Sequence, residues 1–195
     1  LGFAAEIHDR GVAQYMGPLA IKIMIHLNDR MTYAEKLKDR AKANLKALNE
    51  FNTFIIGRKT IIGDIAITPY GVSHSAPDSY MFLIECDGKK VLHTGDFRDH
   101  GYLGKGLYTM LKKHIIPQGI DVLITEGTNV GQRSKSVLSE QEISSQFCQI
   151  MRKYKNVFIL SSSADADRLW SIYSAHNKSR QPFLCDDYQK KMLDI

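Results

Sequence analysis

The sequence is poor in the residues that mark disulfide-rich and membrane proteins. Its 195 residues include 3 cysteines, Cys86, Cys148 and Cys185, and none of them are spaced as Cys-x-x-Cys. An odd number of scattered cysteines argues against a disulfide framework and favours reduced thiols in a cytoplasmic protein. No apolar run approaches the roughly 18 residues of a membrane-spanning helix, and no basic-then-apolar signal segment is visible, so no membrane partner is expected.

The charge balance excludes little. Lysine and arginine number 26 against 21 aspartates and glutamates, which gives a net charge of +5. Such a mildly basic chain permits a polyanionic partner such as nucleic acid, although many inert surfaces have the same balance. Hydrophobic residues make up 44%, enough for a core, and the length suits one domain or parts of two. The chain begins with Leu1, which is typical of a fragment or a processed product.

The most informative segments are Val-Ser-His-Ser-Ala-Pro-Asp-Ser at 72–79 and Leu-His-Thr-Gly-Asp-Phe-Arg at 92–98. They contain two candidate metal ligands, His74 and Asp96. Two apolar runs, 80–86 and 89–94, lie between these residues and flank Asp87-Gly88. Asp-Gly between such runs predicts a β-hairpin, because both central residues of a type I′ turn need a positive φ. A two-residue turn would pair Cys86 with Lys89, Ile84 with Val91, Phe82 with His93 and Tyr80 with Gly95.

The predicted hairpin places two potential metal ligands at the same end of a sheet. Asp96 would lie beside Ser79, with His74 a short loop away. Imidazole and carboxylate groups suit zinc or manganese. Each residue also has a plainer interpretation, His74 as an ordinary loop histidine and Asp96 as a turn carboxylate, since Gly-Asp is common in turns. We expect His93, within the strand, to pack or to form a hydrogen bond.

The rest of the sequence alternates helical and extended patterns. Thr32 with Glu35 and Ser139 with Glu142 have capping-box spacing, so each pair predicts the start of a helix. The Gly- and Ser-rich segment 127–136 predicts a linker or exposed loop, and the alternation after it predicts parallel strands joined by helices. Helices are predicted at 18–27, 32–51, 106–116, 139–154 and 165–176, and strands at 54–56, 60–62, 64–69, 121–125, 157–160 and 182–185, with 121–125 buried.

These motifs resemble those of the metallo-β-lactamase superfamily and, within it, the β-CASP nucleases. His74 matches the family's third motif, and Asp96 in Thr-Gly-Asp-Phe matches the fourth. Leu-Ile-Thr-Glu-Gly-Thr at 123–128 resembles the first β-CASP motif through Glu126. Ser-Ser-Ser-Ala-Asp-Ala-Asp-Arg-Leu at 161–169 resembles the strand-to-helix turn where the β-CASP domain begins.

The resemblance implies an α/β (α+β) fold. Residues 1–130 would form part of an αββα metallo-β-lactamase sandwich, and residues 131–195 the start of a β-CASP-like βαβ insertion domain. The family's main zinc motif, His-x-His-x-Asp-His, is absent from the sequence. In relatives it precedes a segment that ends in Tyr-Met-Gly-Pro, here residues 15–18. The chain is therefore expected to be an internal piece that lacks this motif and the later β-CASP motifs.

The resemblance also implies a function. The parent protein would be a metal-dependent hydrolase, a nuclease that cleaves RNA or DNA phosphodiesters with a metal-activated water. Two zinc ions, or manganese, would share Asp96 and would be bound by His74, while Glu126 would join Asp96 in catalysis by orienting a histidine. Arg98 and His100 lie just past the site, and Ser161, Ser162 and Ser163 precede a predicted helix start that could hold a phosphate, so these five are the candidate substrate-binding residues.

Other interpretations stay open. Glu126 could simply cap a strand end, and the serines could be only helix caps. The same fold hydrolyses thioesters, lactones and lactams, so the alternative enzyme is a small-molecule metallo-hydrolase, and the alternative outside catalysis is a degenerate binding module. Because a catalytic zinc needs three protein ligands, we expect this chain alone to be inactive and to bind metal weakly or not at all. A homo-oligomer is left open.

Overall fold

A computed structural model describes residues 4–128 and 137–195 of the chain. These residues form a mixed α+β structure, as the sequence predicts, while its assignment to a metallo-β-lactamase sandwich stays a prediction. The helices are α1 (Ala4–Asp9), α2 (Pro18–Met31), α3 (Lys38–Leu48), α4 (Gly104–Met110), α5 (Glu140–Lys153), α6 (Ala166–Ser179) and α7 (Asp187–Asp194), and the strands are β1 (Tyr15–Met16), β2 (Asn52–Thr53), β3 (Thr60–Ile62), β4 (Ile65–Val72), β5 (Ser79–Cys86), β6 (Lys89–His93) and β7 (Val122–Ile124).

The elements divide between two compact units. One consists of the residues up to Ile55 together with Cys185–Ile195, and the other of Ile56–Leu184. The predicted domain boundary between residues 130 and 131 lies outside the described residues, as does most of the predicted linker at 127–136. Both therefore stay predictions.

In the first unit, α2 packs against α3 and α7. Between α2 and α3, the buried side-chain amide of Asn44 donates to Oδ1 of Asn28 at 3.1 Å, which satisfies polar groups that water cannot reach. On α7, the ring of Tyr188 stacks on His26 with centroids 4.5 Å apart. Strands β1 and β2 form a short parallel pair.

The capping box predicted at Thr32 and Glu35 is wrong. Thr32 ends α2 as its C-cap, and its hydroxyl donates to the carbonyl of Asp29 at 2.6 Å. The next helix, α3, begins at Lys38 without a side-chain cap. The Thr32 hydroxyl is used by the preceding turn, so the Thr-x-x-Glu spacing does not decide where α3 starts. The strand predicted at 54–56 is also wrong, because the extended pair is β2, at Asn52–Thr53.

The second unit is built on a five-stranded sheet in the order β3-β4-β5-β6-β7. Asp87 and Gly88 have φ angles of 50° and 70°, as the predicted type I′ turn requires. The regular ladder stops before the predicted pairing of Tyr80 with Gly95. The other predicted pairs are confirmed: Cys86 with Lys89, Ile84 with Val91 and Phe82 with His93.

The helical segment that follows β6 contributes to the core of this sheet. Helix α4 continues through a π-helical turn, Leu111–Ile115, into a 3₁₀ turn, Ile116–Gln118, which covers the helix predicted at 106–116. Packing between strands and helix holds in place the strands whose ends carry the candidate site. The buried side chains of this cluster are Val72, Met81, Leu92, Leu107 and Ile115.

Strand β7 is exposed where the sequence predicts a buried strand. It pairs in parallel with β6 at the edge of the sheet, and Val122, Leu123 and Ile124 are 49%, 59% and 48% exposed. A continuous apolar run is typical of a parallel strand covered on both faces. The residues that the structure describes leave about half of each of these side chains in solvent.

The described residues from 137 to 195 form helices joined by irregular segments. The predicted capping box of Ser139 and Glu142 is confirmed at the start of α5, and α5 packs directly on α6. The strands predicted at 157–160 and 182–185 are wrong, because both described segments are irregular, and Phe158 and Leu160 are fully exposed. No helix within residues 4–128 or 137–195 is long and apolar enough to cross a bilayer.

Candidate functional site

Three strands of the second unit have their carboxyl ends at the same end of the sheet. Strands β4 and β6 are each antiparallel to β5, and β7 is parallel to β6, so β4, β6 and β7 run in the same direction. The residues that follow their carboxyl ends therefore lie at one end of the sheet. His74 follows β4, Asp96 follows β6 and Glu126 follows β7. The predicted metal ligands and Glu126 thus share this end.

A tight turn presents Asp96. Gly95 has a φ of 58°, and a Cβ at this position would lie 3.2 Å from the carbonyl oxygen of Tyr80, so both backbone conformation and space select glycine. The Gly95 amide donates to Nδ1 of His93 at 3.1 Å, so His93 forms a hydrogen bond, as predicted. Asp96 itself is exposed and is available to a ligand.

Glu126 braces this turn from the neighbouring strand. Its Oε1 accepts a hydrogen bond from the Phe97 amide at 2.8 Å. That bond and those from Thr128 hold the pKa of Glu126 below its usual value, and His74 acts electrostatically in the same direction. Glu126 is therefore an ionised group that fixes the residue next to Asp96. The predicted contact of Glu126 with a catalytic or ligating histidine stays a prediction.

The loop that carries His74 is a compact turn between β4 and β5. The hydroxyl of Ser79 donates to the carbonyl of Ala76 at 2.9 Å, and Asp78 adopts a positive φ of 58°. An aspartate tolerates this left-handed conformation better than most residues do. These features close the turn and leave the His74 side chain partly exposed.

Arg98 and His100, two of the predicted substrate contacts, are engaged within the protein. The Arg98 amide donates to the Ser73 carbonyl at 2.7 Å, and its guanidinium lies 3.5 Å from Oδ2 of Asp165. The carbonyl of His100 accepts a hydrogen bond from the Glu140 amide at 3.0 Å. Both residues tie the end of the sheet to the helices that follow, and their contact with substrate stays a prediction.

The serines at 161–163 are not the caps of α6. The N-cap is Asp165, whose side chain accepts a hydrogen bond from the Arg168 amide at 3.2 Å. The first two amides of the helix both donate to the carbonyl of Ser75. A phosphate at this helix start would have to displace that carbonyl, so the predicted substrate contact depends on the hydroxyls. It stays a prediction for Ser161, Ser162 and Ser163.

A buried carboxylate that the sequence pattern does not reveal, Glu140, lies at the start of α5. Its side chain is 1% exposed, and it accepts hydrogen bonds from Arg168 at 3.0 Å and from the Ser171 hydroxyl at 2.6 Å. Burial raises the pKa of Glu140, but the bonds from Arg168 and Ser171 outweigh it, so the pKa lies below the ordinary value. The acid next to the cap Ser139 was visible in the sequence, whereas its partner on another helix was not.

Asp167, on the first turn of α6, was missed as well. Its Oδ2 accepts a hydrogen bond from the Ser73 hydroxyl at 3.2 Å, across a sequence separation of 94 residues. Burial raises the pKa of Asp167, the charges of Asp165 and Glu140 raise it further, and the bond from Ser73 opposes them. In the sequence Asp167 stands in the Asp-Ala-Asp-Arg run, and nothing in this run indicates a contact with Ser73.

The metal centre that the resemblance implies can be tested against these donors. His74 offers an imidazole nitrogen and Asp96 a carboxylate, whereas a catalytic zinc takes three protein ligands and a structural zinc takes four. Among the described residues, no group of three or more histidine, cysteine, aspartate or glutamate side chains is arranged to hold a metal ion. The residues present therefore do not fit a complete metal centre.

Comparison with known proteins bears on the fold. No family model matches the sequence. A crystal structure of a protein of unknown function from Enterococcus faecalis V583 has a TM-score of 0.74 to this chain, with 18% sequence identity over 93% of it. The chain spans 43% of the length of that protein. At this identity the likeness establishes a shared fold alone.

Proposed function

We propose that this chain is part of a metal-dependent hydrolase that cleaves phosphodiester bonds, in RNA or, as the second choice, in DNA. The proposal depends mainly on one observation: His74, Asp96 and Glu126 follow three strands whose carboxyl ends lie at the same end of the sheet. It is supported by the resemblance of the same segments to β-CASP nucleases. In the proposed protein, His74 and Asp96 are metal ligands and Glu126 holds the turn of Asp96.

The charges at this end of the sheet favour a role for a cation. Asp96, Glu126 and Asp167 are carboxylates, whereas the nearby Arg98 is already paired with Asp165. A phosphodiester is itself anionic, so it needs positive charge between its oxygens and these carboxylates. Imidazole and carboxylate donors suit zinc or manganese, and the resemblance implies two ions.

The proposal assigns the missing ligands to a longer protein that contains this chain. The described residues supply at most two ligands, and the chain spans less than half of the Enterococcus protein that shares its fold. The 195-residue chain alone is then inactive and binds metal weakly. Cys86, Cys148 and Cys185 are free thiols, which suits the proposed cytoplasmic location.

The test is an assay of the longer natural protein on RNA and on single-stranded DNA, with and without a chelator. We expect cleavage that the chelator abolishes and that added zinc or manganese restores. His74→Ala and Asp96→Asn are each expected to lower the rate at least about 100-fold. His114→Ala and Asp64→Asn, in the same unit, serve as matched controls and are expected to keep the rate. An absence of metal-dependent cleavage of either nucleic acid would refute the nuclease function.

The alternative enzyme is tested in the same experiment with a thioester, a lactone and a lactam. Turnover of one of these substrates without cleavage of RNA or DNA would replace the nuclease by a small-molecule hydrolase. Turnover of none would favour the non-catalytic binding module.

A further inference from the structure

Helix α3 of the first unit carries a row of exposed lysines opposite its buried face. The side chains that this helix buries are those of Ala41, Asn44, Ala47 and Leu48. Lys38, Lys42 and Lys46 follow one another at intervals of four residues and are all exposed. At 3.6 residues per turn, this interval places each lysine nearly above the last, about 6 Å further along the axis. We call these three residues the α3 lysine row.

The α3 lysine row has no counter-charge within the protein. Among residues 4–128 and 137–195, none of its ammonium groups forms an ion pair or a hydrogen bond. By contrast, the exposed Lys59 and Lys89 of the second unit are paired with Glu85 and Asp121. Like charges four residues apart on a helix repel each other, so an anionic partner that neutralises them is favoured.

An exposed aromatic ring precedes the row. Tyr33 lies in the connection between α2 and α3 and is 85% exposed. Hydrogen bonds of successive turns order this connection: the amide of Ala34 donates to the carbonyl of Met31 at 3.1 Å, and the amide of Leu37 donates to the carbonyl of Ala34 at 2.9 Å. Leu37 is the residue before α3. The backbone that carries the Tyr33 ring is therefore ordered up to the start of the lysine row.

Tyr33 also borders a cavity of about 350 Å³ in the first unit. A second ring of this cavity, that of Tyr188, is buried, because it stacks on His26 and the Arg30 guanidinium lies 4.7 Å from its centroid. Tyr33 is thus the ring that stays open to a ligand. The charged side chains at the cavity nearly balance; they are Asp29, Arg30, Asp186, Asp187 and Lys191. Such a place suits a flat, uncharged ring better than a phosphate.

We propose that this face of the first unit binds single-stranded nucleic acid, with the α3 lysine row on backbone phosphates and a base stacked on Tyr33. Lysines attract the phosphate backbone whatever its sequence, and stacking is tolerant of sequence because every base has an aromatic face. A single strand is required, since bases in a duplex are stacked on each other. The choice of nucleic acid over another polyanion rests on the function proposed above. The binding itself involves no metal and no residue of the five-stranded sheet.

The phosphate contacts are tested by the salt dependence of binding. The 195-residue chain is titrated with a fluorescent RNA single strand of roughly 12 nucleotides, with a chelator present throughout. The row variant combines Lys38→Gln, Lys42→Gln and Lys46→Gln, because glutamine has the helix propensity of lysine. Its control removes the same charge from exposed lysines of the second unit, with Lys105→Gln, Lys112→Gln and Lys113→Gln. The slope of log K against log salt concentration should become shallower by about 2 in the row variant and stay unchanged in the control.

The stacked base is tested with Tyr33→Ala and with a strand of the same length that lacks its bases. We expect Tyr33→Ala to lower the affinity for RNA roughly 5- to 100-fold without changing the salt slope, and to leave the affinity for the abasic strand unchanged. Tyr33→Phe keeps the ring and should bind as the unmodified chain does. Tyr108→Ala is the matched control, since Tyr108 is 64% exposed on α4 in the second unit, and it should have no effect.

Equal losses in the row variant and in its lysine control would show attraction by net charge alone and would overturn the proposal. Normal RNA affinity in Tyr33→Ala would overturn it as well. Equal affinity for RNA and for the abasic strand would assign the row to another polyanion, such as an acidic protein or an anionic membrane.

The chelator separates this proposal from the proposed function. Binding that depends on the row and on Tyr33 would support the nucleic-acid face even if the longer protein cleaves no phosphodiester. Metal-dependent cleavage by the longer protein, with RNA binding unchanged in the row variant and in Tyr33→Ala, would refute this face and leave the nuclease standing.

Discussion

Individual residues at the end of the sheet are fixed by different forces. Gly95 is selected by a positive φ and by the approach of Tyr80, whereas Glu126 is held by the backbone amide of Phe97. Glu140 depends on electrostatics in a buried place, because its carboxylate is stable there only with Arg168 and Ser171 as donors. Substitutions of these residues should therefore destabilise the chain for different reasons, and the pH dependence of the loss in stability should differ among them.

Glu140→Gln is expected to destabilise the chain by about 3 kcal/mol at neutral pH, because it leaves Arg168 without its buried counter-charge. The pKa of Glu140 is lower in the folded chain than its ordinary value of 4.5. Its contribution is therefore complete above pH 4.5 and is lost as the pH falls through the folded pKa. Urea unfolding from pH 7 to pH 3 measures this effect.

The exposed capping residue Glu142 on the same helix provides the control. At pH 7 we expect Glu142→Gln to lower the free energy of unfolding less than Glu140→Gln does. The difference in free energy of unfolding between the unmodified chain and Glu140→Gln should narrow as the pH falls. If the two variants lost the same free energy of unfolding, or if the loss in Glu140→Gln were constant with pH, Glu140 would not be a buried ionised group.

At the scale of whole elements, two local signals predicted the structure correctly, whereas the Thr32–Glu35 spacing did not, because the Thr32 hydroxyl is used by the end of α2. The Asp-Gly turn fixed the register of β5 and β6 because its φ angles are a property of two residues. The capping box of Ser139 and Glu142 was predicted correctly because its hydrogen bonds also depend only on neighbouring residues. The contacts of Asp167 and Glu140 could not be foreseen, since each joins elements whose relative placement depends on packing.

Other failed predictions concern segments that need a partner. The runs 157–160 and 182–185 have strand-like composition, but a strand exists only with a neighbour to complete its hydrogen bonds. The same holds for burial at 121–125, because an apolar run does not reveal whether the strand lies at the edge or in the middle of a sheet.

The apolar edge formed by β7 is expected to make the isolated chain self-associate, since edge strands readily pair with other chains. Leu123→Lys should shift the chain towards monomer, because a charged side chain at an edge opposes such pairing. Sedimentation velocity over a range of concentrations provides the measurement. Ile61→Lys is the control, since Ile61 is 65% exposed on β3, at the opposite edge. Equal effects of the two substitutions, or a monomeric unmodified chain, would contradict this expectation.

At the scale of the molecule, the second unit brings together the residues that we propose as part of a binding site. The sheet brings His74 and Asp96 to one end, Glu126 braces the turn of Asp96, and the start of α6 holds the peptide on both sides of His74. Within residues 4–128 and 137–195, the donors remain too few for a catalytic metal. If the proposed function is right, we expect the 195-residue chain to bind metal weakly and to have no activity of its own.

The most direct test is a zinc titration of the 195-residue chain, followed by NMR of the histidine ring protons and by elemental analysis after dialysis. We expect zinc to perturb His74 first, Asp96→Asn to weaken this response, and dialysis to remove the metal. Perturbation of other histidines with His74 unaffected, or an unchanged response in Asp96→Asn, would show that these two residues do not share a metal. Stoichiometric zinc after dialysis would contradict the claim that the chain lacks a complete site.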